Sequence, residues 1–186
     1  MSDRQSLLEI ILAINPFDEV EVAHIRDTKA WIQSGARLYR VRKPDVPPKH
    51  LVSYFVVLDE SARSVMLVDH VKARLWLPAG GHVEPGEDPR TTVTREAKEE
   101  LSIDADFSTS LGDTPFFITV TETIGEGTHT DVSLWYVIRG GVNDQYEYDH
   151  SEFDSYKWFT FDEVLSTDPD LLDPHMHRFI KKLMGV

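Results

Sequence analysis

Three glutamates and an arginine fall within six residues of this 186-residue chain, in the run Arg95-Glu96-Ala97-Lys98-Glu99-Glu100. Wound as a helix at ~100° per residue, the run gathers Glu96, Glu99 and Glu100 within ~100° of one another on a single face. Like charges so placed repel, by a few tenths of a kcal/mol per pair, and Arg95 offsets part of this through an i,i+4 contact with Glu99. A hard divalent cation would offset more, because carboxylate oxygens are the ligands that Mg²⁺ and Mn²⁺ prefer. Taken alone, the run also fits a solvated acidic helix.

The flanking residues say how such a face would be positioned. Val93, Ala97 and Leu101 form a stripe at i, i+4 and i+8 that docks the helix on a sheet. Upstream, Gly80-Gly81 lets the backbone pass close to its neighbours and frees a carbonyl as a ligand. Pro85-Gly86 makes a turn, and Glu87 lies near the helix start, where negative charge suits the dipole.

The stretch from Gly80 to Ile103 resembles the Nudix box, Gly-x5-Glu-x7-Arg-Glu-U-x-Glu-Glu-x-Gly-U, in which U is a bulky aliphatic residue. Gly81, Glu87, Arg95, Glu96, Glu99, Glu100 and Ile103 match in register. Ala97 is a small occupant of its aliphatic slot, and Ser102 replaces the last glycine, at a cost of ~1 kcal/mol if the helix ends there in a left-handed turn. Resemblance to the Nudix (MutT-like) hydrolase family implies an α/β (α+β) fold, with a mixed β-sheet sandwiched between α-helices. It implies metal-dependent hydrolysis of a nucleoside diphosphate linked to a group X, by attack of water on phosphorus. By the same resemblance, Glu96, Glu99, Glu100 and the Gly80 carbonyl hold Mg²⁺ or Mn²⁺. Arg95 orients the glutamates, and Gly81 and Glu87 support them. Members often add an acid shortly before a late tryptophan, and Glu152 is the candidate. The general base stays open among Glu96, Glu99 and an acid of a later loop.

Neither fold nor box fixes X. A nucleoside triphosphate, cleaved to monophosphate and pyrophosphate, is the leading expectation, with ADP-ribose or a nucleotide sugar as the alternative. Pro115 matches the proline of ADP-ribose hydrolases only approximately in offset, and no tyrosine of the kind associated with dinucleoside polyphosphate hydrolases is found. A non-catalytic nucleotide-sensing module is the reading from another class, although such modules often lose box glutamates. An isopentenyl diphosphate isomerase would need a cysteine, and the chain has none.

Composition narrows the partners. Net charge is −13, which argues against a nucleic-acid partner but not against a small polyphosphate neutralised by metal. Arg37, Arg40, Arg42, Lys43 and Lys49, met only by Asp45, form either a phosphate-facing patch or a solvated turn. Without cysteine there is no thiolate metal site, and the eight histidines show no zinc-ligand spacing. No apolar run reaches membrane-spanning length, and MSDRQSLLEI lacks the features of a signal peptide, so a soluble cytoplasmic protein is expected, as a monomer or a homodimer.

Two segments are expected: a helical hairpin and connector over residues 1–43, and the box domain over 44–186. Ser2 or Asp3 caps the first helix, with Leu7, Leu8, Ile11 and Leu12 on one face. The second runs from Asp18 through Val22, Ile25 and Ile32 to Gly35. Leu51–Leu58 and Val65–Val68 read as central strands. Asp104–Leu111 and Phe116–Thr123 read as further strands, and Gly125 and Gly127 mark a loop around Glu126. Val132, Leu134, Tyr136 and Ile138 alternate with Asp131, Ser133 and Trp135, whose half-polar face fits a substrate pocket; Trp135 reads first as buried packing, with a base-stacking platform as the alternative. Residues 140–157 read as an acidic loop before a short strand at Trp158-Phe159, and a last helix spans about 174–183.

Overall fold

The computed structural model describes residues 3–42, 46–123 and 128–185. The expected cap at Ser2, the basic residue Lys43, the connector residues Pro44 and Asp45, and the loop at Gly125, Glu126 and Gly127 lie outside the described residues.

At the centre lies β1 (Lys49–Asp59), whose run of Leu, Val and Phe is buried on both faces. It pairs in parallel with β6 (Thr130–Arg139) from Lys49 to Leu58. The other edge is shared: β2 (Ser64–His70) pairs with Val57–Asp59, and β4 (Ala79–His82) pairs with Val52–Phe55, both antiparallel. β5 (Phe117–Glu122) extends the sheet beyond β6, while β3 (Trp76–Leu77) and β7 (Phe153–Thr160) pair with β2. The result is a mixed sheet of seven strands.

Helices cover both faces. α1 (Asp3–Ala13), α2 (Glu19–Gln33) and α3 (Pro89–Leu101) contribute to an apolar cluster with Leu51, Phe55, Val132, Leu134 and Tyr136. α4 (Phe161–Ser166) and α5 (Met176–Met184) contribute to a second cluster with Val56, Val65, Phe117, Trp135 and Val137. Adjacent strand residues thus belong to opposite layers, as the two-residue period of a strand requires.

Several expectations need correction. Residues 104–111 form no strand: the Asp106 carboxylate accepts from the Ser108 amide, and Ser110 bonds Glu60. The Asp106 and Glu60 carboxylates and the Thr109 hydroxyl here occupy backbone donors that a ladder would need. β7 begins at Phe153, five residues before the expected Trp158, because its edge is long enough to match β2 from Ser64 to His70. On α1 and α2, Leu12 and Val22 are exposed. The buried residue of the first turn of α2 is instead Glu21, which takes the Phe17 and Ile118 amides and the Lys182 ammonium at 2.7 to 3.2 Å.

Candidate active site

β4 carries Gly80 and Gly81 against β1, and α3 begins eight residues later. The intervening loop closes on itself: Gly86 has φ +82°, and the Glu87 amide donates to the Glu84 carbonyl. Asp88 caps α3 by accepting from the Arg90 amide, and Pro89 occupies the first turn, where its missing N–H costs nothing. At the other end Ser102 stands at φ 55°, ψ 27°, the left-handed conformation expected of the glycine it replaces. Between the caps, Val93, Ala97 and Leu101 are buried against the sheet, and the acids emerge at its edge.

Arg95 holds this edge together. Its Nε donates to Glu87 Oε1 (3.1 Å) and its Nη2 to Glu87 Oε2 (3.2 Å) and the His82 carbonyl (3.1 Å). Its Nη1 reaches Glu96 Oε1 (2.6 Å) and Glu99 Oε2 (3.2 Å). Glu87 is itself fixed by Thr92 Oγ1 and the Glu84 amide. Burial alone would raise the Glu87 carboxyl, but these hydrogen bonds outweigh it and hold the group below its usual range.

The two inner glutamates, Glu96 and Glu100, shift the other way from Glu87. Glu100 is 5% exposed, and its Oε2 accepts from the Gly80 amide at 2.8 Å. Burial, reinforced by the charge of Glu96, pushes its carboxyl up to about 9, although the Gly80 amide opposes the shift. Glu96 is raised by burial, against the pull of Arg95 and with the repulsion of Glu99. Glu99 is the outermost of the three, its side chain 59% exposed. Both glycines have steric reasons: a Cβ at Gly80 would overlap the Ser53 carbonyl, and one at Gly81 would overlap the Glu96 carboxylate. The Gly80 group whose role is visible is the amide, as a donor to Glu100.

The segment after β6 folds back over this end of α3. The Asp149 amide donates to the Glu100 carbonyl, and Glu152 follows one turn later. The charge of Glu152 is among the causes that raise both Glu96 and Glu100. An open groove of about 570 Å³ runs between the end of α3 and Tyr146, Glu147 and Tyr156. A second, of about 500 Å³, reaches from there to Glu99, Tyr148 and His150.

Asp131 and Trp135 do not line an open face. Trp135 is fully buried, with Phe179 at 5.2 Å between ring centroids and its Nε1 donating to Thr119. Trp135 is thus buried packing and not a stacking platform, because α5 covers that side of β6. Lys49, from the basic run, is paired with Asp27.

Asp131 instead meets His50, His82 and His129, whose ligand-type atoms with its own all lie within 4.8 Å of one another. Among the described residues this is the group whose ligand-type atoms converge so tightly. The expectation drawn from histidine spacing missed it, because strand register and not sequence interval unites these residues.

The model of the NUDIX domain matches residues 48–183. Solved structures of similar fold include a MutT NUDIX hydrolase from Burkholderia pseudomallei, 17% identical, with a TM-score of 0.55, covering 73% of this chain and 98% of that one. The E. coli dihydroneopterin triphosphate pyrophosphohydrolase is 17% identical with a TM-score of 0.57, covering 81% of this chain and all of the other. A MutT protein from Methanosarcina mazei Go1 is 19% identical with a TM-score of 0.53, covering 74% and 94%. No curated protein is significantly similar to the chain in sequence.

Proposed function

The chain belongs to the NUDIX domain family, and from that membership we propose that this pyrophosphohydrolase cleaves a nucleoside triphosphate to nucleoside monophosphate and pyrophosphate. The observation that carries the reading is the crowding of carboxylates at this edge: Glu96 and Glu99 share one nitrogen of Arg95 and Glu100 is buried beside Gly80, so one arginine serves the whole group. The donor set fits a hard divalent ion, since it offers carboxylate oxygens alone. Mg²⁺ or Mn²⁺ held by Glu96, Glu99 and Glu100, with Glu152 as a further acid, would neutralise phosphate charge and lower the pKa of the attacking water.

The chain's own residues prepare that site. Arg95 orients Glu96 and Glu99 and is itself oriented by Glu87, so the carboxylates are positioned before substrate arrives. The Gly80 amide aims Glu100, and Gly81 leaves the space that Glu96 occupies. For the general base, Glu99 has the exposure needed to reach water, and Glu96 has the raised pKa.

The E. coli dihydroneopterin triphosphate pyrophosphohydrolase, similar in fold, acts on a triphosphate, and a nucleotide sugar or ADP-ribose is the second substrate class. The test is a panel of common and oxidised nucleoside triphosphates, ADP-ribose, nucleotide sugars and dinucleoside polyphosphates, with Mg²⁺ or Mn²⁺ and chromatographic separation of products. Monophosphate plus pyrophosphate from one triphosphate is the expected result. Products of a sugar-linked diphosphate alone would transfer the chain to the second substrate class, and binding without turnover would make it a sensor.

A further inference from the structure

Apart from the box glutamates, the sheet builds a second convergent site at the ends of three strands. β1 lies between β6 and β4, with His50 opposite Asp131 across one ladder and Val52 opposite His82 across the other. His50 and Val52 share one side of β1, so His82 and Asp131 project to that side as well. His129 immediately precedes β6. Three imidazoles and one carboxylate thus meet although they are far apart in the chain.

The atoms that meet are ligand atoms. His82 Nε2 lies 3.0 Å from His50 Nε2. Asp131 Oδ1 lies 3.2 Å from His50 Nε2 and 3.4 Å from His129 Nε2. A tetrahedral ion with bonds of about 2.05 Å sets neighbouring ligands about 3.3 Å apart. Oδ1 is buried, and among the described residues it has no aligned hydrogen-bond donor despite these two close nitrogens.

The outer contacts set the tautomers. His50 Nδ1 donates to the Pro47 carbonyl at 2.9 Å, since a carbonyl can only accept. Thr123 Oγ1 lies 3.1 Å from His129 Nδ1 and 3.2 Å from the His129 carbonyl; when the hydroxyl donates to the carbonyl it accepts from Nδ1, which leaves the His129 Nε2 lone pair facing Asp131. In the neutral rings both Nε2 atoms then carry lone pairs that face a carboxylate oxygen. Metal-bound histidines are oriented by this kind of contact from the far nitrogen.

We propose that His50, His82, His129 and Asp131 form a tetrahedral site for a borderline transition-metal ion, Zn²⁺ by its ligand set, distinct from the hard-cation site of the glutamates. Imidazole nitrogens select such ions over Mg²⁺. Four protein ligands leave no open position, which makes the site structural. It ties β1, β4 and β6 together at the start of the catalytic loop, where the His82 carbonyl also receives Arg95.

The test starts from chelator-treated protein kept in excess Mg²⁺, so that hard-ion sites are filled. Co²⁺ is titrated in while visible absorption is recorded, and zinc content is measured on protein purified without chelator. One zinc per chain and the intense spectrum of four-coordinate Co²⁺ are expected, together with paramagnetically shifted imidazole proton signals. His129→Gln and Asp131→Asn, with folding checked by circular dichroism, should each weaken Co²⁺ binding by more than about a hundredfold, beyond the effect of losing an outer-shell partner. Glu99→Gln should leave the spectrum in place. Substoichiometric zinc with only a weak six-coordinate Co²⁺ spectrum would overturn the proposal. So would an intense spectrum that survives both ligand variants or vanishes in Glu99→Gln. If the ligand variants fail to fold, the wild-type protein decides: shifted imidazole signals support the site, and their absence overturns it.

Discussion

At the scale of single residues, the candidate site depends on what surrounds each carboxylate. Glu87 and Glu96 both touch Arg95, yet burial raises Glu96 while the hydrogen bonds around Glu87 lower it. Removing a charge from the metal-facing group tests the assignment directly. Glu99→Gln or Glu100→Gln should lower turnover by orders of magnitude with the circular dichroism spectrum unchanged, whereas an unchanged rate in both would remove these residues from the site. Gly81→Ala probes the same site without touching a charge. Its Cβ would occupy the space of the Glu96 carboxylate, a flexible group that swings aside. Turnover should fall at least about tenfold, because misplacement by about 1 Å is costly in catalysis, with only a small loss of thermal stability.

At the scale of elements, α3 is a short helix asked to hold three acids at one end of a buried stripe. Its caps do much of this work, and Ser102 is the weak one. A residue with a Cβ in the left-handed region is strained by roughly 1 kcal/mol relative to glycine, and Ser102 sits there at φ 55°. Ser102→Gly should therefore raise stability by about 0.5–1 kcal/mol, read from denaturant midpoints, without altering the metal requirement; a destabilised variant would show that the serine side chain contributes more than its strain costs. The helix, its stripe and its end at Ser102 are legible in the sequence because they follow from local spacing, whereas the Asp88 cap comes from the structure. The short strand misplaced at residues 104–111 was not, since the Asp106 and Glu60 carboxylates accept the Ser108 and Ser110 amides that a ladder would use.

At the scale of the whole molecule, the N-terminal helices and the last helix are joined across the sheet edge by charge. Glu21 is fully buried against Lys182, and Asp18 is paired with Arg178, whose Nε donates to Asp18 Oδ2 at 2.7 Å. Breaking a buried pair of this kind leaves an uncompensated charge, the costly outcome for the core. Arg178 Nη1 also meets His175 Nδ1 at 2.8 Å, which needs that nitrogen to be unprotonated. Burial first, then the charges of Arg178 and His24, bring His175 down to about 4. The unfolded chain titrates this group near 6.5 and so binds more protons between those values. Its contribution is present above about pH 6.5 and is lost as pH falls toward 4, by at most about 3 kcal/mol. Asp173, pushed up to about 6 by burial, works in the opposite sense, contributing below about pH 4 and losing that contribution as pH rises through 6. Comparison of wild type with His175→Gln between pH 7 and 4 isolates the histidine: wild type should lose stability relative to the variant, and parallel profiles would refute the assignment. No helix among the described residues is long and apolar enough to cross a membrane.

Charge spacing along one helix was enough to place Arg95, Glu96, Glu99 and Glu100 together, because a helix converts intervals of three and four into a shared face. Glu87 followed from its position at the helix start, and the central strands from their apolar runs. Intervals carry no such information for residues on different strands. His50 and His82 are 32 positions apart, and only the antiparallel register of β4 on β1 and the parallel register of β6 bring them to Asp131. Burial of Trp135 likewise depends on α5 packing over β6, which the alternation within that strand could not reveal. The partnership of Glu21 with Lys182 has the same origin: buried charges choose partners by proximity in three dimensions, where desolvation makes an unmatched one expensive.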